Sequence, residues 1–520
     1  MAELAETVGA REPRLAAWVG WLTARDRTEE TTATVVRRFL YVLLAVYVLK
    51  QALYVVLFPP FTGHDEVAHY AYLQTVATKH RVALLPTISL AADVYDSTCL
   101  GTNVPSKCGD KLPPSLYKYC NYVLHWEPCD PTNPGYLANP PYAADYGPAS
   151  GGIHPVGLQY AANHPPLYYI MMTPLYWASE GTSPVTQQYL LRIAAIPFGI
   201  LTVILAYLLA TTLFPGDAFL AITVPAFVAF QTQVSYEAAM VNNDIVCIAL
   251  YSWILYLLVS GLRDRFPWRT CILAGFAFGL ALLSKGTSIT AAGIIAFAMI
   301  FGLGWQNWRR WLPKGAATAA LAGVISAPWY AFLYLRYGNL SALPQIQKIQ
   351  WWNKPAGTFF GMLTSRSFIV DRFQETWGDF GWRKIPLDNT MLWAIAVPLI
   401  IAAGGLVLYV VTAGRETAST AGDAVLRPRR WQSWAVVTLF VTVAVAYIAV
   451  VQFGTEFELT QARYYFPAIN AFALLVMLGW RTLLPRRALP YGQVVIVAAL
   501  VLLNVMIFSQ YVIPYYPHWP

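Results

Sequence analysis

Long apolar runs recur along the 520-residue chain and are separated by short polar connections and two long polar segments. A membrane-spanning helix needs about 20 mainly apolar residues, and about eleven runs approach this length. The pattern therefore predicts an all-α polytopic membrane protein with about eleven transmembrane helices. The runs lie at about residues 39–58, 189–213, 216–233, 242–261, 270–284, 287–305, 315–334, 391–412, 434–452, 463–480 and 491–510.

The two long polar segments lie at about residues 59–188 and 335–390. Within the first, residues 65–80 and 164–179 have helical character. The second of these pieces is rich in Tyr and Trp but too short to span a membrane comfortably. Because Tyr and Trp are enriched at membrane interfaces, we predict interfacial helices inside the first large loop. The second large loop is rich in aromatic and charged residues.

The distribution of Lys and Arg predicts how the helices are oriented. Arg37 and Arg38 precede the first span, and connections on the same side as the N-terminus carry basic clusters. Since cytoplasmic connections carry an excess of Lys and Arg, we predict a cytoplasmic N-terminus and two large extracytoplasmic loops. The clustered basic residues on the predicted cytoplasmic side are Arg263, Arg265, Arg269, Arg309, Arg310, Lys314, Arg415, Arg427, Arg429, Arg430, Arg481, Arg486 and Arg487.

Composition agrees with a membrane location. The chain is 57% hydrophobic and 12% charged, whereas soluble domains contain about 25% charged residues. The net charge of +8 is what an excess of Lys and Arg in cytoplasmic connections produces. The basic residues do not accompany a nucleic-acid-reading motif, so no nucleic-acid partner is predicted.

The six cysteines fall into two groups. Cys247 and Cys271 lie in apolar runs, where cysteine behaves as a small hydrophobic residue. The other four lie in the first large loop, where they predict two disulfides whose pairing the sequence does not fix. A zinc site is the alternative, although such sites use closer cysteine spacing. These four are Cys99, Cys108, Cys120 and Cys129.

Asp65 and Glu66 are adjacent carboxylates directly after the first span. A carboxylate at the apolar edge of a membrane has a raised proton affinity and can act as a general base toward a hydroxyl. Adjacent residues on a helix point about 100° apart, so the two are not expected to share one proton. The structural alternative is that both acids stabilise the first turn of a helix through its dipole.

Histidines surround this acidic pair. His64 and His69 are five positions apart, whereas a zincin helix needs histidines four apart. Glu66 and His69 leave a divalent metal site as an open alternative, with His164 as a further ligand. His164 precedes two prolines at the start of the second helical piece, where it either contacts a substrate or caps the helix.

Three further charged residues lie where predicted spans begin or turn at the predicted outer face. Asp244 begins a span, Lys285 occupies a tight turn between two spans, and Arg463 begins another span. Cations fixed at this surface suit the binding of a lipid phosphate. The structural alternatives are a helix N-terminal acid for Asp244 and interfacial anchoring for Lys285 and Arg463.

In this order, the motifs resemble those of GT-C-type membrane glycosyltransferases. The nearest pattern is that of family 39-like enzymes, related to protein O-mannosyltransferases and lipid A aminoarabinose transferases. The resemblance extends over about residues 35–480, without the insert at about 90–150 and the second large loop. Its motifs are Asp-Glu at 65–66, His-Pro-Pro-Leu at 164–167, Asn-Asp at 243–244, Ser-Lys at 284–285 and Arg-Tyr-x-x-Pro at 463–467.

This resemblance implies a GT-C-like fold and transfer of a sugar, with inversion, from a polyprenyl phosphate to an acceptor hydroxyl. It implies no cofactor, although the oligosaccharyltransferase branch of the fold uses a metal, so a divalent ion near Glu66 and His69 stays an open alternative. The implied roles are Asp65 as the catalytic base, Glu66 as a supporting or alternative acid, Asp244 as a second acid, Lys285 and Arg463 as phosphate-side cations, and His164 as a residue lining the site.

The domain prediction follows from these spans and roles. It comprises a cytoplasmic segment at 1–38, a transmembrane catalytic core at 39–334 that includes the outer loop 59–188, a second outer loop at 335–390, and C-terminal transmembrane helices at 391–520. The predicted location is the bacterial plasma membrane, with an extracytoplasmic active site. The acceptor is a lipid, a glycan or a protein, and the outer loops offer surfaces for protein partners. The alternative is a non-catalytic family member that serves as an accessory or structural subunit of a membrane complex.

Overall fold

The computed structural model describes residues 29–88, 99, 105–113, 116, 158–349, 355–415, 423–457 and 461–516. These residues are mostly helical. Extended pairing within them is confined to two short antiparallel contacts: Lys111 with Leu158, and Asp379 and Phe380 with the two-residue strand β1 (Ile385–Pro386). This part of the chain therefore folds without a sheet, and helices form its framework.

The helices follow one another in a simple order. The first part of the described chain contains α1 (Glu29–Leu57), α2 (Glu66–Lys79), α3 (Leu167–Ala178), α4 (Pro184–Leu213), α5 (Ala218–Phe230), α6 (Thr232–Glu237), α7 (Asp244–Asp264), α8 (Trp268–Ser284), α9 (Thr290–Leu303) and α10 (Trp308–Tyr337). The second part contains α11 (Leu343–Ile349), α12 (Phe359–Thr364), α13 (Arg366–Trp377), α14 (Phe380–Arg383), α15 (Asn389–Thr412), α16 (Arg430–Gly454), α17 (Ile469–Leu483), α18 (Leu489–Ile507) and α19 (Ile513–Tyr515).

Tighter or wider helical turns join or extend some of these helices. The 3-10 segments are Ser106–Cys108, Tyr160–Asn163, Gly286–Ile289, Ala462–Ala468 and Arg486–Ala488, and Phe508–Val512 is a π-helical segment. Gly286–Ile289 leads into α9, and Ala462–Ala468 leads into α17. Lys285 directly precedes Gly286–Ile289, and Arg463 lies within Ala462–Ala468. The sequence analysis identified both residues as candidates for the site.

Within the described residues, nine helical stretches are long and apolar enough to cross a membrane. Two shorter apolar helices, Ala218–Phe230 and Trp268–Ser284, coincide with the two remaining predicted spans. Each predicted span therefore has a helical counterpart, which confirms the all-α polytopic architecture of an integral membrane protein. The two shorter helices have 13 and 17 residues, fewer than the about 20 residues of an upright span.

A buried lysine lies where α5 ends. Lys50, near the middle of the first span, donates hydrogen bonds to the Ala229 carbonyl and the Ser235 hydroxyl. The last carbonyls of a helix have no partner in the helix itself and take hydrogen bonds from other donors. Gln231 then accepts the Val234 N–H at 2.6 Å and begins α6. Lys50 therefore stabilises the interruption between α5 and α6 inside the bundle.

The first large loop contains both predicted helices, α2 and α3, and they pack against each other. The indole of Trp177 donates to the Ala77 carbonyl at 3.0 Å, and the rings of Tyr72 and Tyr169 stack with centroids 3.8 Å apart. Gln159 adds a 2.8 Å hydrogen bond to the Ala68 carbonyl. The second half of the loop is thereby fastened to the helix that follows the acidic pair.

The second large loop folds back onto the interruption between α5 and α6. Gln231 and Thr232 donate to the carbonyls of Thr376 and Trp377 at the end of α13. Gln233 accepts the N–H of Asp379 at 3.2 Å. These contacts bring the acidic and basic residues of the second loop close to the segment that follows α1.

An ion cluster with three buried members and one half-exposed member, Arg486, joins connections at the other end of the bundle. Arg481 at the end of α17 donates to Asp217 at 2.7 Å and to Asp423 at 3.1 Å. Arg486 lies 3.3 Å from Asp423. Asp217 also caps α5 by accepting the Leu220 N–H at 2.9 Å. We call Asp217, Asp423, Arg481 and Arg486 the charge clasp.

The cysteines behave as two groups, as the sequence indicates. Cys99 and Cys108 form a disulfide, which confirms that the first loop carries one. The other two cysteines of this loop, Cys120 and Cys129, lie outside the described residues. Cys247 and Cys271 are buried thiols.

Candidate active site

The site begins at the turn between α1 and α2. Asp65 occupies the N-cap position of α2, but its backbone is left-handed, with φ 55° and ψ 16°, and its side chain makes no capping hydrogen bond. Left-handed backbone is uncommon for residues other than glycine, although Asp tolerates it better than most. This conformation is a local strain of the kind that concentrates at functional positions. It leaves the Asp65 carboxylate without the usual capping role.

The Asp65 carboxylate instead faces Arg463, which lies almost 400 positions later in the chain. Arg463 donates to Asp65 through Nη2, and the Tyr160 hydroxyl donates to the other oxygen at 3.2 Å. The Asp65 side chain remains 18% exposed, whereas that of Arg463 is 6% exposed. Burial by itself raises the pKa of the Asp65 carboxyl, but the charge of Arg463 and its hydrogen bond to the carboxylate lower it. The net pKa lies well below the usual range, so the group is a carboxylate.

Asp244, Lys285 and Arg463 complete a buried row of alternating charges. Lys285, in the turn after α8, donates to Oδ1 of Asp244, the first residue of α7. Oδ2 of Asp244 lies 3.4 Å from Nη1 of Arg463. The order Lys285–Asp244–Arg463–Asp65 thus joins four separate parts of the sequence. We call these four side chains the charge row.

Glu66 has entirely different surroundings from Asp65. Its carboxylate accepts from Arg192 at 2.9 and 2.6 Å, from Gln188 at 2.8 Å, and from the backbone N–H groups of Gly63 and Val241 at 2.8 Å each. Both Glu66 and Arg192 have fully buried side chains. Charge-assisted, two-point pairing of this kind fixes a carboxylate firmly. Side chains of α4 and two backbone N–H groups therefore hold the Glu66 carboxylate in a fixed position.

Arg192 is a functional neighbour that the sequence reasoning missed. It lies in α4 and also donates to the carbonyls of Phe58 at 2.7 Å and Pro59 at 3.0 Å. Its guanidinium therefore ties the exit of α1 to the start of α2. The available signal was an arginine inside a predicted span, since such residues in membrane helices are costly and almost always have a partner.

His69 and His164 form a pair beside the charge row. Their ring centroids are 5.3 Å apart, and Nδ1 of His69 lies 2.7 Å from the Tyr169 hydroxyl. Burial, followed by the charge of Lys285, lowers the pKa of His164 to about 3. Burial and the neighbouring His164 lower the pKa of His69 well below its ordinary value. Both rings are therefore neutral near pH 7.

The histidines do not gather around Glu66. His64 instead pairs with buried Glu237, with Nδ1 and Oε1 2.7 Å apart. His69 and Glu66 face different partners, so the structure does not bring them together as a ligand pair. Across the described ranges, no group of three or more His, Cys, Asp or Glu side chains is arranged to hold a metal ion.

A cleft opens next to the charge row. Arg463 contributes to its wall, together with His64, Glu237, Glu375, Asp379 and Arg383. Glu375, Asp379 and Arg383 come from the second large loop, and Asp379 begins α14. The sequence drew attention to the charge of this loop but did not connect it to the acidic pair. The connection depends on the long-range contacts between α6 and the end of α13.

The site residues predicted from the sequence thus have different placements. The charge row brings Asp65, Asp244, Lys285 and Arg463 into one network, and His164 lies beside it. Glu66 faces the opposite direction, into the contact with α4. Together, the fold and site define a polytopic helical membrane protein with a buried charge network at one end of its bundle.

Comparison with known proteins points to a family. Residues 176–330 match the family model of dolichyl-phosphate-mannose-protein mannosyltransferases. This match confirms the resemblance to GT-C-type membrane glycosyltransferases over less than half of the chain, a part that contains Asp244 and Lys285. No curated protein sequence matches the chain.

Two solved structures can be aligned with parts of the chain at low similarity. One is ArnT from Cupriavidus metallidurans bound to undecaprenyl phosphate, with 17% identity over 67% of this chain and 56% of that chain, and a TM-score of 0.40. Another is the archaeal oligosaccharyltransferase AglB from Archaeoglobus fulgidus in complex with an inhibitory peptide and a dolichol-phosphate. It has 12% identity over 93% of this chain and 55% of that chain, with a TM-score of 0.49. The chain thus spans little more than half the length of either structure.

Proposed function

We propose that the protein is an integral membrane glycosyltransferase that moves a sugar from a polyprenyl-phosphate donor to an acceptor hydroxyl. The observation that carries this proposal is the charge row, in which the partly exposed carboxylate of Asp65 pairs with buried Arg463, and Asp244 links Arg463 to buried Lys285. A transferase of this kind needs a base for the acceptor and cations for the departing phosphate. The family match over residues 176–330 supports the same chemistry.

Asp65 acts as the general base in this proposal. The acceptor O–H bond breaks as its proton passes to Asp65, and the oxygen forms a bond to the anomeric carbon of the sugar. The bond from that carbon to the phosphate oxygen breaks, and its electron pair leaves with the polyprenyl phosphate. Attack opposite the leaving group inverts the anomeric centre. Asp65 suits this role because it is the partly exposed carboxylate of the row.

Arg463 and Lys285 stabilise the departing phosphate. Their side chains are buried at 6% exposure each, and a cation in such a site acts on an anion far more strongly than one in water. Burial and the charge of Arg463 lower the pKa of Lys285, whereas its contact with the Asp244 carboxylate and a bound phosphate favour the charged ammonium. Asp244 lies between the two cations and holds them at a fixed separation. It is the shared partner that keeps both charged groups in place when no phosphate is bound to them.

Donor binding activates Asp65 through Arg463. While Arg463 pairs with Asp65, the pKa of this carboxyl is too low for an effective base. A phosphate that binds Arg463 competes for its N–H groups and weakens this pair. The proton affinity of Asp65 therefore rises only when the donor is bound. Without a donor, Asp65 does not take the proton of an acceptor hydroxyl.

Glu66 is a positioning residue in this proposal. Its carboxylate accepts from Arg192, Gln188 and two backbone N–H groups, so it has no free oxygen for an acceptor proton. His164 lines the site as a neutral hydrogen-bonding group. From the distribution of Lys and Arg we expect the charge row at the extracytoplasmic face. The proposed acceptor is a lipid, a glycan or a protein.

The test is sugar transfer by purified protein carrying Asp65→Asn. We expect the transfer rate to fall by about 100- to 10,000-fold, the usual contribution of general base catalysis. Binding of unloaded polyprenyl phosphate should persist, because Lys285 and Arg463 remain. Asp264→Asn is the matched control, since Asp264 is an exposed acid that pairs only locally with Arg263.

Two results would contradict the proposal. Full activity in Asp65→Asn would remove the base assignment. If the wild-type protein transferred no sugar from any polyprenyl-phosphate donor and instead purified in fixed ratio with other subunits, it would be an accessory component of a membrane complex. Lys285→Met separates the two roles, because it should weaken donor binding while Asp65→Asn should not.

A further inference from the structure

A short segment beside the disulfide has no role in the steps above. Residues 105–111 follow Cys99 in the chain and include its disulfide partner, Cys108. They belong to the insert that the family resemblance does not cover, but they contact both the helix that begins at Glu66 and the residues that face Asp65. We call residues 105–111 the clamp segment.

Asp110 joins the clamp segment to the end of α2. This residue is 4% exposed, and its carboxylate accepts from Lys79 at 2.7 Å and from the two terminal nitrogens of Arg81 at 2.7 and 2.9 Å. It also accepts the Leu84 N–H at 2.9 Å. Charge-assisted, two-point pairing of this kind is strong and directional. The chain that leaves α2 is therefore fixed to Asp110.

The clamp segment is itself held on further sides. The disulfide ties it at Cys108. Gly109, with φ 72°, packs so closely that a Cβ would lie 2.6 Å from the backbone nitrogen of Pro86. Arg336, near the end of α10, donates to the Ser106 carbonyl at 2.6 Å. Covalent, steric and polar contacts together therefore set the position of the segment.

The backbone of Asp110 contacts the residues that face the proposed base. Its carbonyl accepts the Gln159 N–H at 3.0 Å. Gln159 is 1% exposed, and its side chain donates to the Ala68 carbonyl at 2.8 Å and accepts the Ala161 N–H at 3.1 Å. The second of these bonds caps the 3-10 segment Tyr160–Asn163. Gln159 therefore fixes the start of that segment against α2.

Tyr160 contacts one oxygen of the Asp65 carboxylate. Its hydroxyl donates to Oδ1 at 3.2 Å, whereas Arg463 donates to Oδ2. Burial, followed by the charge of Asp65, raises the pKa of Tyr160 well above its ordinary value, so the hydroxyl keeps its proton near pH 7. The two carboxylate oxygens therefore have different partners, one neutral and one charged. A phosphate attracts only the charged partner.

We propose that Tyr160 is a positioning residue for Asp65 and that the clamp segment holds Tyr160 in place. The inference rests on the proposed function, because Asp65 is the proposed base. When a donor phosphate draws Arg463 away from Oδ2, Tyr160 still holds Oδ1. The carboxylate then keeps its orientation, and Oδ2 is the oxygen that takes the acceptor proton.

The first experiment compares Tyr160→Phe with wild type in sugar transfer by the full-length protein in detergent. The donor is the polyprenyl-phosphate hexose or pentose that wild type transfers fastest. We expect kcat to fall about ten-fold, the effect of one lost hydrogen bond, while the KM for the donor stays within two-fold of wild type. At saturating donor, the acidic limb of the pH–rate profile should move up by about one pH unit, because a hydrogen bond to a carboxylate lowers its pKa.

Tyr168→Phe is the matched control. It removes a buried tyrosine hydroxyl that has no hydrogen-bond partner among the described residues, and it should leave kcat and the pH profile unchanged. Thermal melting checks that each variant is folded. A lower kcat in Tyr160→Phe without a shift of the acidic limb would indicate a structural role alone and would contradict the proposal.

A second set of variants tests the clamp segment. Cys99→Ala combined with Cys108→Ala removes the disulfide, and Asp110→Asn weakens the contact with the end of α2. Each should move the acidic limb in the same direction as Tyr160→Phe but by less, because Tyr160 then spends less time at Oδ1. The two changes affect different contacts, so misfolding of one protein leaves the other as the test. Cys271→Ala, at a buried thiol of α8, is the control. Wild-type pH profiles in both clamp variants would show that this segment does not hold Tyr160.

The outcomes separate this inference from the function on which it rests. If Tyr160→Phe matches wild type in kcat and pH profile while Asp65→Asn loses transfer, the inference fails and the proposed function survives. If Asp65→Asn keeps full activity, or if wild type transfers no sugar, the proposed function fails and this inference falls with it.

Discussion

Asp65 and Glu66 are joined by one peptide bond, but their carboxylates have opposite surroundings. Asp65 faces Arg463 at a partly exposed edge, and Glu66 is enclosed with Arg192. The sequence located the pair because adjacent acids after an apolar span are uncommon. It did not divide their roles, because that division depends on the left-handed backbone at Asp65 and on an arginine more than a hundred positions away.

Replacement of Glu66 by Gln should therefore affect folding before it affects chemistry. Removal of one partner of a buried ion pair leaves the other charge uncompensated, which costs about 3–5 kcal/mol. We expect a clear fall in the melting temperature of Glu66→Gln in detergent. Glu180→Gln, on an exposed turn, should melt like wild type. A Glu66→Gln protein with wild-type stability and no transfer activity would instead make Glu66 a chemical participant.

The neutral histidine pair predicts a dependence of stability on pH. In the unfolded chain, histidine has a pKa of about 6.5, whereas the folded pKa of His164 is about 3. Between these values the unfolded chain binds more protons, so the free energy of unfolding decreases as the pH falls below 6.5. The loss from this residue is at most about 1.4 kcal/mol per pH unit.

Unfolding at pH 7.0 and 5.0 tests this dependence. His164→Gln should lose less stability between these two pH values than wild type does. The control is His80→Asn, which replaces an exposed histidine at a left-handed position that Asn tolerates. The same loss in His164→Gln and wild type would show that His164 does not resist protonation in the folded protein.

At the scale of elements, the contact between α15 and α17 depends on glycine. A Cβ at Gly479 would overlap the carbonyl oxygen of Ala402, and one at Gly405 would overlap that of Gly479. The two backbones therefore approach each other with no room for a side chain. Small residues that permit such close approach are typical of helix contacts in membranes.

Two adjacent glycines of α15 provide a matched test of this contact. Gly405→Ala inserts a methyl group into the contact and should destabilise the protein by about 1–3 kcal/mol, the usual cost of overpacking. Gly404→Ala meets nothing within 4 Å and should be neutral or slightly stabilising, since Ala favours a helix over Gly. Denaturant unfolding measures both, and equal stability of the two variants would exclude a tight crossing at Gly405.

The spans were predictable because a lipid environment requires long apolar helices with internally paired backbones. The interruption between α5 and α6 was harder to predict, because it depends on Lys50 and on contacts of Gln231 and Thr232 with the distant second loop. The cleft was not predictable for the same reason. Asp379 becomes a neighbour of Gln461 and Arg463 only after the second loop has folded back.

At the scale of the whole molecule, the bundle has two chemically different ends. The charge row and the cleft lie at one end, and the charge clasp joins connections at the other. The connections at the clasp end carry the basic residues that predict a cytoplasmic location. The orientation of the protein therefore decides on which side of the membrane the proposed transfer takes place.

Single cysteines on the two sides can test this orientation. Thr182→Cys lies on the exposed turn before α4, and Asp264→Cys lies on the exposed connection after α7. We expect a membrane-impermeant thiol reagent to label Thr182→Cys in intact cells and Asp264→Cys only after lysis. The parent protein gives the background from its own cysteines. The reverse pattern would place the charge row in the cytoplasm.

The fastening of Glu66 has a consequence for substrate choice. Because Glu66 is held by Arg192 and Gln188, the neighbouring Asp65 main chain is held as well. Its carboxylate can then move only by rotation about two side-chain bonds. If the proposed function holds, an acceptor has to bring its hydroxyl to this fixed carboxylate, and the loops around it have to accommodate acceptors of different size. New acceptor specificities would thus arise through changes in the loops, with the Asp-Glu pair left unaltered.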